Sequence, residues 1–101
     1  MKWIEIIELR SVSHRYVLQE LDVENFLTDA SLAVKPCAIN VYRHGTIETD
    51  VSIHLLYDSK QVDIYGSVLG EQLTSFLKEF GLVNHTVWVN TSQKSHRKST
   101  S

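Results

Sequence analysis

From Gly66 onward the chain spells out one face of an α-helix. Leu69, Leu73, Phe76, Leu77 and Phe80 recur at the spacing that stacks side chains along a single stripe. Ser67 is the natural N-cap, Lys78 falls in the last turn, and Gly81 follows as a residue suited to a left-handed C′ position. Thr86 to Val89 then leaves as a short alternating strand. A helix with one apolar stripe must cover something, and the rest of the chain supplies a sheet.

Trp3 to Leu9 is isoleucine-rich and predicts the first strand. Its alternation is imperfect, because Ile4 and Ile6 point one way and Ile7 and Leu9 the other, with Glu5 and Glu8 interspersed. Such a strand is either buried on both faces or carries a bulge near Ile7. Ser13 can cap a helix starting near His14, with Val17, Leu18, Leu21, Phe26, Leu27 and Ala30 as its stripe. The segment Asp22-Val23-Glu24-Asn25 is a candidate interruption. Asp29 to Pro36 reads as a connector.

Cys37 to Arg43 and Val51 to Tyr57 alternate as two strands of an antiparallel hairpin, with His44-Gly45 at the turn. Val62 to Tyr65 is a candidate extra strand. The expected order is therefore strand, helix, strand, strand, helix, strand. That is the ferredoxin-like βαββαβ arrangement of the α+β class, with two helices on one face of a four-stranded antiparallel sheet. Ile39, Val41, Val51, Ile53, Leu55, Val87 and Val89 are expected to meet the helices. Asn40, Tyr42, Ser52, His54, Leu56, Thr86 and Trp88 are left for the opposite face.

At 101 residues, 43% hydrophobic and 22% charged, the chain has room for one core. Residues 1–90 are expected to form that domain and 91–101 a disordered tail of Ser, Thr, Lys and Arg. The tail's Lys94, Arg97 and Lys98 contribute +3, which leaves −5 on the body out of a total of −2. An acidic body is a poor partner for a phosphate backbone, and Asp50 to Tyr57 lacks the basic-Gly-aromatic pattern of RNA-recognition strands. No apolar run approaches the roughly 20 residues of a membrane span. The N-terminal stretch does not read as a signal peptide, so a cytoplasmic protein is expected.

Cys37 is the only cysteine; it excludes an internal disulfide and multi-cysteine zinc sites, and reads as a buried small hydrophobe. No His/Asp/Glu pair has ligand spacing on one element, so neither a metal nor another cofactor is expected. Gly66-Ser67-Val68-Leu69-Gly70 opens a helix whose amides can hold an anion, but it lacks phosphate-loop spacing, and a turn plus cap is the preferred reading. Trp3 is expected to pack near the sheet's end. His85 is expected on the strand face opposite Trp88 or at the strand's mouth. The matches to the glycosylation pattern at Asn84 and Asn90 carry no weight without secretion.

The open face is too aromatic for a solvated surface and too polar for a dry core, so something should cover it. With the Leu-rich helix running into Leu-Lys-Glu-Phe-Gly-Leu-Val-Asn-His-Thr-Val-Trp-Val (residues 77–89), the topology and size resemble the dimeric α+β barrel superfamily. That group includes small antibiotic-biosynthesis monooxygenases and stress-response barrel proteins. The resemblance covers about residues 2–90 and implies a homodimer packed through its sheets, binding a small molecule or serving a structural role. It also implies, as an alternative, a cofactor-independent monooxygenase acting on an aromatic or quinol-type substrate. In that reading His54 assists deprotonation, Asn40 and Trp88 position the ring oxygen, and Tyr42 lines the pocket. Against it stands an interface role for His54, Tyr42 and Trp88, which is the preferred reading. A ligand-sensing module of the amino-acid-binding kind is a third reading.

Overall fold

The computed structural model describes residues 1–12, 17–28 and 34–91. The elements are β1 (Lys2–Ser11), α1 (Val17–Glu20), α2 (Val23–Leu27), β2 (Ala38–Arg43), β3 (Val51–Asp58), α3 (Val68–Leu77) and β4 (Gly81–Val89). The strands form one antiparallel sheet in the order β2-β3-β1-β4. This is an α+β domain with three helices among the described residues. The single helix expected in the first crossover is two short pieces. Asp22 causes the break: its carboxylate accepts the Asn25 N–H at 3.2 Å and caps α2. The expected start of that helix at Ser13 and His14, its last stripe residue Ala30, and most of the connector lie outside the described residues. So does the tail from Ser92 on.

β1 alternates without a bulge over ten residues. Trp3, Glu5, Ile7 and Leu9 face the helices, while Ile4, Ile6, Glu8 and Arg10 face away. The core joins those β1 positions to Val51, Ile53, Leu55 and Tyr57 of β3 and to Leu69, Leu73, Leu77 and Phe80. Phe26 of α2 closes it at one side by an edge-on contact with Phe76, centroids 5.7 Å apart. Burying each large aliphatic here contributes about 1.5–3 kcal/mol. β2 is an edge strand with thin cover: Ile39 packs on the core, but Val41 remains 39% exposed. Val89, at the end of the opposite edge, is also uncovered, so two of the seven positions expected to meet the helices lie on the helix-facing side but stay exposed.

α3 behaves as its pattern requires at the start and differently at the end. Ser67 caps it, accepting the Gly70 N–H at 3.0 Å. No left-handed glycine ends it: Gly66, before the helix, is the one with positive φ among the described residues. Instead the Lys78 N–H reaches Thr74 O and the Phe80 N–H reaches Leu77 O, which satisfies the terminal carbonyls. Gly81 opens β4 opposite Ser11, so the strand expected over four residues runs for nine. Val62 to Tyr65 is turn, not strand, with Tyr65 almost fully exposed. Cys37 is exposed, contrary to the expected burial, because β2 begins just after it at the uncovered sheet edge.

Candidate functional site

The sheet register fixes what the open face carries. One cross-strand row is Ala38, Leu56, Ile4 and Trp88; the next is Asn40, His54, Ile6 and Thr86; the third is Tyr42, Ser52, Glu8 and Asn84. Every residue expected on this face is on it. Ile4 and Ile6 join them at the centre, and with Leu56 they make an aliphatic strip flanked by two exposed aromatics. Tyr42 is 50% exposed and Trp88 58%.

Asn40, Tyr42 and His54 come together. Asn40 is the direct neighbour of His54 across β2 and β3, and the Tyr42 and His54 rings lie 4.8 Å apart with their planes tilted by 54°. His54 Nε2 meets Ser52 Oγ at 3.1 Å, which orients the imidazole along the strand. This trio can present an imidazole, an amide and a phenol to one small molecule. Trp88 does not join it. Two strand spacings and one row separate it from His54, roughly 12 Å along the sheet, and Tyr42 is farther still. The Trp88 indole is held instead by its own strand, Nε1–H donating to Thr86 Oγ1 at 2.9 Å. Clefts lie at the two ends of the sheet, one bordered by Tyr42, Ser52 and Glu8 and the other by Ile4, Leu56 and Trp88. His54 lines neither.

The covered face holds a second cluster that pattern reading missed. Glu5 is fully buried. Its carboxylate accepts the Ser67 N–H at 3.2 Å, the Ser67 O–H at 2.6 Å and the His85 Nε2–H. Ser67 has one hydroxyl proton and gives it to Glu5, so Tyr57 O–H donates to Ser67 Oγ at 2.6 Å. Burial pushes the Tyr57 phenol up to about 12, and the Glu5 charge adds to the rise. The helix start, read from its sequence as a turn plus cap, also holds an anion, the chain's own Glu5, beside the positive end of the α3 dipole. Gly66 and Gly70 make room for it: a methyl on either would overlap the carboxylate or the His85 ring.

His85 lies on the face opposite Trp88, as expected, and its ring is the partly exposed member of the cluster. The signal for Glu5 was present in the spacing Trp3-x-Glu5-x-Ile7-x-Leu9, which strict alternation places on one face. Glu5 and Ser67 are both buried, and their bonds hold β1 against the start of α3. Trp3 packs as expected, stacking on Tyr57 at 4.2 Å and donating Nε1–H to Ser59 Oγ at 2.9 Å.

Among the described residues no three His, Cys, Asp or Glu side chains are grouped to hold a metal ion, and no helix is long and apolar enough to cross a membrane. No protein-family model matches the chain, and neither a curated protein nor a solved structure matches it.

Proposed function

We propose that the chain acts as a homodimer of the ferredoxin-like, dimeric α+β barrel kind, packing its open sheet face on a second copy and binding a small molecule or serving a structural role there. The strand order supports the ferredoxin-like part, since the connection from β1 to β2 passes over β3 and that from β3 to β4 passes over β1. The dimer rests on one observation above all. Ile4, Ile6 and Leu56 form an aliphatic strip on the sheet, with Tyr42 and Trp88 standing exposed at opposite corners. Exposed aromatics around an apolar centre are the composition of an interface core.

Sedimentation from low to high micromolar concentration tests the reading. A dimer that Ile6→Lys converts to a folded monomer supports it, and a wild-type monomer throughout overturns it.

The contact of Asn40, Tyr42 and His54 favours a second reading, a cofactor-independent monooxygenase taking an aromatic or quinol-type substrate. The trio would hold the substrate, with His54 accepting its proton. The distance of Trp88 argues against the four-residue site in one chain. Loss of oxygen consumption in His54→Ala, measured with a substituted quinol, tests it; unchanged consumption removes it.

A further inference from the structure

The two ends of the open sheet differ in lining. One cleft, of about 640 Å³, is bordered by Lys2, Ile4, Cys37, Leu56, Asp58 and Trp88. Its floor is built by register, because Ile4 stands between Leu56 on one side and Trp88 on the other. The indole N–H is already given to Thr86, so the exposed part of Trp88 offers an apolar ring surface. Lys2 lies on the same face, two residues before Ile4. Asp58, directly opposite Lys2, accepts instead from the Met1 ammonium at 3.3 Å. Lys2 thus has no ion-pair partner among the described residues. The cleft at the other end is bordered by Glu8 and Asp50 together with Arg10 and Arg43, and it lacks the indole wall and aliphatic floor of the Lys2 end.

A flat aromatic wall, an aliphatic floor and one unpaired ammonium at the rim match one ligand chemistry. We propose that this cleft binds a small aromatic carboxylate, its ring against Trp88 and Ile4 and its carboxylate on Lys2 Nζ. Ring contact supplies the apolar burial, and the charge-assisted hydrogen bond fixes which end of the ligand faces the rim. The cleft is formed by a single chain, so the assignment deepens the small-molecule part of the reading above without resting on the dimer.

Naphthalene-2-carboxylate, titrated into the full chain by calorimetry, is the probe. One site per chain is expected, with the uncharged naphthalene-2-carboxamide about tenfold weaker. Lys2→Gln should lose about tenfold for the acid and nothing for the amide. Trp88→Ala should weaken both. Cys37 borders the cleft and is exposed, so its alkylation by iodoacetamide should slow when the acid is bound. Lys2 and Trp88 are both surface positions, and their substitution leaves the core intact.

The assignment is overturned by absence of saturable binding, by equal affinity for acid and amide, or by Cys37 alkylation that the acid does not slow. It is also overturned if His54→Ala abolishes binding while Lys2→Gln does not, which moves the ligand to the Tyr42 and His54 group. Sedimentation of the same samples keeps the dimer separate: a monomer that binds the acid supports the cleft and removes the dimer, and a dimer that ignores it does the reverse.

Discussion

The two faces of the sheet reverse the usual distribution of polarity. The face under the helices carries a buried carboxylate, and the face without cover carries an aliphatic strip with two aromatic corners. The difference lies in what surrounds each group. Glu5 has three donors and a helix N-terminus around it, so its desolvation is offset locally, and the carboxylate ties β1, β4 and α3 to one point. Among the described residues, Ile4, Ile6 and Leu56 are half-buried and lie outside the core cluster. A polar group is thus part of the core where its partners are complete, and apolar groups form a contact surface where theirs are missing.

The comparison breaks most readily at Glu5. Glu5→Ala leaves Ser67, His85 and a cavity without their partner, and urea unfolding should show a loss of about 3–5 kcal/mol. A loss under 1 kcal/mol would mean that the cluster contributes nothing to holding the covered face together.

Tyr57 gives the next largest effect. Its phenol titrates at about 12 when folded against an ordinary value of 10.0. Between those values the unfolded chain releases the proton while the folded one keeps it, so stability falls as pH rises through that window. The loss amounts to on the order of 2–3 kcal/mol and is complete only above the folded value. Tyr57→Phe should remove that slope, which unfolding measured at pH 9 and pH 11.5 detects.

Gly70→Ala pushes a methyl against the Glu5 carboxylate and should cost about 1–3 kcal/mol by thermal unfolding. On the open face, Tyr42→Ala and Trp88→Ala should each change monomer stability by no more than about 0.5 kcal/mol. If a second copy covers that face, Tm of the unaltered chain rises with protein concentration and the same substitutions weaken or remove that dependence, which sharpens the contrast between the faces.

How legible each face was in the sequence follows from the number of strands and helices needed to define it. Alternation in Val51 to Tyr57 and the stripe from Leu69 to Phe80 placed β3 and α3, and Asn40, Tyr42, His54 and Trp88 were assigned correctly to one face. Their grouping was not legible. Whether Trp88 stands beside His54 or two strands away depends on strand order, which no single segment encodes. Glu5 was passed over because a carboxylate among isoleucines reads as a break in alternation; its partners come from residues 67 and 85, far along the chain.

Local chemistry alone settled the alternating strand, the Ser67 cap and the apolar stripe of α3, since these depend on neighbours within a few residues. The break at Asp22 was visible as an interruption for the same reason. Only tertiary structure decided that Gly81 opens a strand instead of ending a helix, that Cys37 meets solvent, and that the anion at the start of α3 belongs to β1. Each of those depends on which distant backbone lies alongside, and pairing energy between segments, not propensity within one, selects that neighbour.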